Sequence, residues 1–167
     1  MRNTRELFER YHLPIFRYLK RSTGSRERAE ELTQEVFVRV MRAGKNRRPE
    51  PGRERAWLFT IARNLLLNLK RDAHRRPETL SLDEARSPAA HDASMDRVDL
   101  GNALSDLAAI DRDVFLMREL GGLGYDEISG ICEISPDAVR SRIYRARLEL
   151  REALRGSIAP APREERP

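Results

Sequence analysis

The sequence predicts an all-α protein made of two small helical domains that are joined by a flexible linker. Apolar residues recur at three- and four-residue intervals along most of the chain, and no segment sustains the period-two alternation of a half-buried strand. A polar, proline-containing stretch in the middle separates a basic first third from a basic last third. Three helical patterns precede this stretch and four follow it.

The three N-terminal helical patterns are expected to close one small core. The first pattern covers about Thr4 to Arg21, and Pro14 predicts a kink within it. The second starts after the break at Gly24-Ser25, and the third covers about Glu54 to Asp72. The apolar residues of each pattern share one side of their helix. These residues are Leu7, Phe8, Tyr11, Ile15 and Leu19; Ala29, Leu32, Val36, Phe37 and Val40; and Trp57, Leu58, Ile61, Ala62, Leu65 and Leu69.

The middle of the chain is rich in acidic residues. Between Glu78 and Asp99 there are six acidic residues against two arginines, interspersed with proline and serine. This composition predicts a flexible linker over residues 77–95. Two interpretations stay open: the linker is a solvated spacer, or it is an acidic strip that occupies a basic channel on a partner.

The C-terminal part predicts two helices and then a helix-turn-helix. The first two helices are expected around Arg97 to Ala109 and Asp111 to Leu120, and the helix-turn-helix within Gly124 to Arg147. Ser135-Pro136 supplies an N-cap followed by proline at the first helical position, so the second helix of the motif has a defined start. The apolar stripe of that helix is Val139, Ile143, Ala146 and Leu150.

The opposite face of the last helix is polar, aromatic and rich in arginine, which suits the major groove of DNA. A solvated basic surface helix would carry the same charge, but it would not need a closely spaced partner helix or a capped start. The residues that we expect to face DNA are Ser135, Asp137, Ala138, Arg140, Ser141, Arg142, Tyr144, Arg145 and Arg147.

Composition favours a polyanionic partner and argues against an enzyme. The 167 residues carry a formal net charge of +5, and 29 of the 32 basic residues are arginine, which makes forked contacts to phosphate and guanine. The single cysteine, Cys132, excludes an internal disulfide and a zinc cluster built from cysteine alone. The histidines, His12, His74 and His91, lie in three different segments. We therefore predict no metal, no cofactor and no catalytic residues. With no apolar run near the ~20 residues of a membrane span, we expect a cytoplasmic protein.

Four segments together carry a family resemblance. Residues 28–40 and 56–64, followed at a domain's distance by residues 126–129 and 139–147, closely resemble bacterial RNA polymerase sigma factors of the extracytoplasmic-function (ECF) group. The order and the spacing of the segments also match. The resemblance extends from about Leu7 to Leu154, so it covers both sigma regions of this compact group.

The resemblance implies a non-catalytic promoter-specificity subunit with divided tasks. Residues 1–76 would be sigma region 2, which docks on the clamp helices of the largest polymerase subunit and opens the −10 element. Residues 96–156 would be sigma region 4, which sits on the polymerase flap and reads the −35 element. Residues 157–167 are expected to form a disordered tail. Members of the group usually have an anti-sigma factor, so such a partner is expected here.

The resemblance also assigns site residues in region 2. The loop over residues 43–53 matches the loop that captures a base flipped out of the non-template strand. Trp57 stays open between core packing and strand separation. The −10 residues implied are Lys45, Asn46, Arg47, Arg48, Trp57, Asn64 and Asn68. The polymerase-facing residues implied are Glu30, Glu31, Gln34, Glu35 and Arg39, although they could also be an ordinary polar helix face.

Two positions depart from the pattern of the group. Glu31 stands where many members have aspartate, which keeps the charge. Glu133 stands in the turn of the helix-turn-helix, where glycine is usual, and a positive φ angle would cost this side chain about 1 kcal/mol. The angle between the two helices is therefore left open by the sequence.

Other functions fit less of the chain. A stand-alone helix-turn-helix regulator that binds an operator as a dimer would leave the N-terminal third without a purpose. An RNA-binding protein would explain the charge but not the helix-turn-helix. Under the sigma-factor interpretation, the flexible linker predicts that the free protein holds its two domains at no fixed separation.

Overall fold

The computed structural model describes residues 4–44, 48–75 and 95–157, and within these ranges the chain is helical and has no strand. The predicted all-α class is confirmed. The linker predicted over residues 77–95 and the tail predicted over residues 157–167 lie almost wholly outside the described residues. The helices of the described ranges are α1 Thr4–Thr23, α2 Arg26–Arg42, α3 Glu54–Arg75, α4 Met95–Asp106, α5 Ala109–Glu119, α6 Tyr125–Cys132 and α7 Pro136–Ser157.

Helices α1, α2 and α3 form the N-terminal bundle. Helix α1 runs without interruption through Pro14, and the Ser25 hydroxyl caps α2 by accepting a hydrogen bond from the Arg28 N–H at 3.3 Å. Most of the predicted core is buried. Phe8 is an exception, because it is 45% exposed and stacks on His12 at the surface.

Helices α4 to α7 form the C-terminal bundle, in which α7 packs against the other three. The predicted stripe of α7, namely Val139, Ile143, Ala146 and Leu150, is buried. The predicted cap is also present, since the Ala138 N–H donates to the Ser135 hydroxyl at 3.2 Å. At the start of α6 the Gly124 N–H donates to the Glu127 carboxylate at 2.7 Å, so the Glu127 side chain satisfies the backbone N–H of the N-cap residue.

The turn between α6 and α7 keeps the left-handed conformation without a glycine. Glu133 has φ 57° and ψ 42°, and among the described residues it is the only non-glycine residue with positive φ. Ser129 holds the turn in place: its carbonyl accepts the Ile134 N–H at 3.3 Å, and its hydroxyl donates to the Ile134 carbonyl at 2.6 Å. The strain expected at Glu133 is therefore present, and local hydrogen bonds offset it.

The two bundles are joined by a polar cluster around Asp113 of α5. The Tyr18 hydroxyl of α1 donates to Asp113 Oδ1 at 2.8 Å, and Arg63 Nε of α3 donates to Asp113 Oδ2 at 3.0 Å. Arg63 also donates to the Ile131 carbonyl near the end of α6 at 3.3 Å. Tyr18 is fully buried, and the side chains of Arg63 and Asp113 are 15% and 14% exposed. The cluster thus ties α1 and α3 to α5 and α6.

An apolar contact accompanies the polar cluster. Phe59 of α3 is fully buried, and a Cβ added to Gly121 would lie 2.8 Å from Phe59 Cζ and 2.5 Å from the Met117 carbonyl oxygen. Only glycine allows this approach. Next to it, Arg55 donates to the Gly122 carbonyl at 2.8 Å. The expectation that the two domains keep no fixed separation is wrong for this structure, because specific side chains hold the bundles together.

Candidate nucleic-acid interface

The polar face of α7 is exposed at the residues that carry most of its chemistry. Asp137, Arg140, Ser141, Tyr144 and Arg145 are exposed, and Tyr144 is exposed to 64%. This face follows directly from the fold, because the apolar stripe turns inward and leaves the opposite side to solvent. An exposed helix face of this kind can enter a major groove without rearrangement of the bundle.

Arg140 is held by two neighbours. Its Nη1 lies 3.1 Å from Asp137 Oδ1, and its guanidinium stands 5.4 Å from the centre of the Tyr125 ring. The Arg118 guanidinium is 5.0 Å from the same ring and donates to the Leu123 carbonyl at 2.7 Å. Tyr125 therefore links α5 to α7 through two cation–π contacts. The sequence pattern gave no indication of this contact.

Three other arginines of α7 have acidic partners on α5. Arg142 Nη1 lies 2.7 Å from Asp111 Oδ1, and Arg145 Nη2 lies 3.7 Å from the same oxygen. Arg147 Nη2 lies 2.6 Å from Glu119 Oε1, and this hydrogen bond raises the pKa of Arg147. Arg142 is only 29% exposed, whereas Arg145 is 55% exposed. Of the two arginines beside Asp111, Arg145 is therefore the more accessible to a ligand.

The predicted −10 residues are only partly described. Lys45, Asn46 and Arg47 lie outside the described residues, and Arg48 Nη2 donates to the Thr4 hydroxyl at the start of α1. On α3, Asn64 and Asn68 are exposed and one helical turn apart, so they share a face. Trp57 is half-buried and packs against the core. That position is compatible with both of the roles left open for it.

The predicted polymerase-facing residues lie on one surface of α2. Glu30, Glu31, Gln34 and Arg39 are exposed, and Glu35 is half-buried. Within this surface Arg39 pairs with Glu35 at 2.8 Å, and Arg26 pairs with Glu30 at 2.8 Å. Exposed pairs of this kind contribute about 0–1 kcal/mol, so a partner can displace them at little cost.

Neither metal chemistry nor a reactive thiol is indicated in the described part of the chain. The described residues contain no group of three or more His, Cys, Asp and Glu side chains that could hold a metal ion. Cys132 is buried, and its burial raises the pKa of the thiol to about 11, so it stays protonated near neutral pH. No helix in the described ranges is long and apolar enough to cross a membrane.

The chain matches two family models, one for each bundle. Sigma-70 region 2 matches residues 7–76, and Sigma-70 region 4 matches residues 97–150. Among solved structures, the sigma factor RpoE from Bartonella quintana, in complex with the anti-sigma factor NepR, superposes with a TM-score of 0.77 at 22% identity and covers 93% of this chain and 98% of that one. CnrH, in complex with the cytosolic domain of CnrY, superposes with a TM-score of 0.66 at 25% identity, over 92% of this chain and 88% of that one.

Curated relatives are similar over most of the chain. ECF RNA polymerase sigma factor SigE of Mycolicibacterium smegmatis is 35% identical over 89% of this chain, which spans 60% of the length of that relative. ECF RNA polymerase sigma factor SigL of Mycobacterium tuberculosis is 31% identical over 90% of this chain and 88% of its own length. The chain belongs to the ECF RNA polymerase sigma factors.

Proposed function

We propose that this sigma factor binds core RNA polymerase, directs it to specific promoters and helps to open DNA at the −10 element. The observation that carries the proposal is the exposed, arginine-bearing face of α7 on a helix-turn-helix, in one chain with a region 2 bundle. The protein acts by binding and holds no catalytic residue of its own. Its place of action is the cytoplasm, where polymerase and promoters meet.

Residues 96–156 read duplex DNA at the −35 element. Arg140 and Arg145 are the side chains best placed to contact base edges, since both are exposed and lie at the two edges of the polar face of α7. Arginine binds guanine in a forked geometry that discriminates among base pairs. Ser141 and Tyr144, which lie on the same face, supply further contacts, and Ser135 caps the helix at the end that enters the groove.

Residues 1–76 bind polymerase and single-stranded −10 DNA. The exposed surface of α2 binds the clamp helices of the largest subunit. This surface consists of Glu30, Glu31, Gln34, Glu35 and Arg39. Residues 45–48 hold a base that has left the stack, and the exposed Asn64 and Asn68 contact the strand beside it. Region 4 also contacts the polymerase flap. Residues 77–95 serve as the linker and residues 157–167 as a tail.

An anti-sigma factor is a further partner. RpoE was solved with the anti-sigma factor NepR and CnrH with the cytosolic domain of CnrY, and both superpose on more than nine tenths of this chain. An anti-sigma factor that covers the α2 surface and the α7 face would keep polymerase and promoter from binding at the same time.

The test compares the free protein with the protein bound to core polymerase. Specific transcription from a promoter should appear only when both are mixed, because polymerase has to hold the two DNA-reading domains at the separation of the −35 and −10 elements. Permanganate reactivity of the −10 region then reports strand opening. A tight footprint on a palindromic operator by the free protein as a dimer, at physiological salt, would instead establish the stand-alone regulator.

A further inference from the structure

A buried carboxylate lies behind the DNA-facing surface of α7. Asp111 is only 5% exposed, and apart from Thr33 it is the only buried polar or charged residue of the described ranges. It stands in the first turn of α5 and points at α7, where its Oδ1 lies 2.7 Å from Arg142 and 3.7 Å from Arg145. One carboxylate thus faces two arginines of the proposed recognition helix.

The two arginines are held differently. Arg142 makes a charge-assisted hydrogen bond to Asp111, and its Nε is buried. Withdrawing Arg142 toward DNA would leave Asp111 as a buried charge without this partner, which is strongly unfavourable. Arg145 lies beyond hydrogen-bond distance from the same oxygen, and more than half of its side chain is exposed. Arg145 is therefore oriented by the negative charge but remains available to a ligand.

We propose that Asp111 determines −35 specificity as a positioning residue: it keeps Arg142 away from DNA and orients Arg145 toward a base edge. The inference rests on the proposed function, because it concerns how α7 reads DNA. Without Asp111, Arg142 would be a mobile cation beside the DNA backbone, and Arg145 would reach the groove without a fixed orientation. A mobile arginine such as Arg142 adds affinity for DNA of any sequence. An oriented guanidinium such as that of Arg145 discriminates between bases.

A purely structural role for Asp111 makes a different prediction. Ala108 caps α5 without a side-chain hydrogen bond, so the carboxylate also stabilises the positive end of this helix. Loss of that interaction would lower the thermal stability of the protein. It would not change the ratio of affinities between two DNA sequences measured on folded protein.

The test measures binding of the full chain, assembled with core polymerase, to promoters that carry each base substitution in the −35 element. Asp111→Asn keeps the size of the side chain and removes its charge. We expect it to reduce discrimination at the base pair read by Arg145 about tenfold. We also expect it to steepen the dependence of log K on log salt by about one unit, because Arg142 becomes free to contact a phosphate. Adding Arg142→Met should remove the extra salt dependence without restoring discrimination.

Glu149→Gln is the matched control. Glu149 is exposed on α7 and its replacement makes the same change in net charge. We expect wild-type discrimination for this variant. Wild-type discrimination in Asp111→Asn would overturn the proposal, as would an equal loss in Glu149→Gln. If Asp111→Asn does not fold, Asp111→Glu keeps the charge but displaces the carboxylate, and unchanged discrimination there would equally overturn it. Failure of the proposed function is distinguishable, because Arg145→Ala would then leave −35 discrimination intact.

Discussion

Removing the Tyr18 hydroxyl should open the contact between the two bundles. Tyr18→Phe keeps the ring, whose centre lies 5.3 Å from that of Phe59, and deletes only the donor to Asp113. A hydrogen bond to a charged group contributes about 1.5–3 kcal/mol. Since the Asp113 carboxylate is 14% exposed, water can replace part of the bond. We therefore assign about 1.5–2 kcal/mol to this hydrogen bond. Its loss lowers the ratio of closed molecules, in which the two bundles are in contact, to open molecules, in which they are apart, roughly 10–30-fold.

Single-molecule energy transfer between a dye on α2 and a dye on α7 measures that ratio. Cys132 can stay in place, because its buried, protonated thiol should resist labelling near neutral pH. Tyr11→Phe is the matched control, since it removes a hydroxyl from another buried tyrosine of α1 that lies outside the Asp113 cluster. An unchanged closed fraction in Tyr18→Phe, or an equal change in Tyr11→Phe, would refute the assignment of Tyr18 to the contact between bundles.

Three further predictions concern strain, base reading and pH. Glu133→Gly should raise the free energy of unfolding by about 0.5–1 kcal/mol, because glycine tolerates the left-handed turn, and a lower urea midpoint would contradict this. Arg145→Ala should weaken −35 binding by the polymerase complex by about 1–3 kcal/mol for the preferred sequence only, and a uniform loss across sequences would mean that Arg145 contacts phosphate. Burial, with Asp113 nearby, raises the pKa of Tyr18 well above its usual value of 10.0. The unfolded chain loses the Tyr18 proton near pH 10, while the folded chain keeps it. The contribution of the Tyr18 hydroxyl to the free energy of unfolding is therefore complete below about pH 10 and is lost as the pH rises through the higher folded pKa. Urea unfolding between about pH 9 and pH 11 should show this loss in wild type and lack it in Tyr18→Phe.

The sequence predicted features that depend on neighbouring residues in the chain. The Ser135 cap and the stripe through Val139 and Ile143 were predicted because capping and helical periodicity are local properties. Periodicity placed Phe8 in the core, but its side chain is exposed. The apolar face of α1 is wider than the surface that α2 and α3 cover, so Phe8 at its edge stays in contact with solvent.

Features that depend on contacts between distant segments were missed. Phe59 does not belong to the predicted stripe of α3, yet it is fully buried, because it packs against the other bundle. The partner of Asp111 lies 31 residues away and that of Tyr18 lies 95 residues away. No pattern within a single helix indicates such pairs.

The approach of Phe59 to Gly121 limits how the two sigma regions could be exchanged between relatives. Each partner sits in a different region, so a chimera that joins this region 2 to a foreign region 4 would need a residue without a side chain at the position of Gly121. On the same backbone, a donor with even an alanine there would bring a Cβ within 2.8 Å of Phe59 Cζ and weaken the contact between the two bundles. Whether two regions from different relatives can pack against each other therefore depends on the residues at positions 59 and 121 together.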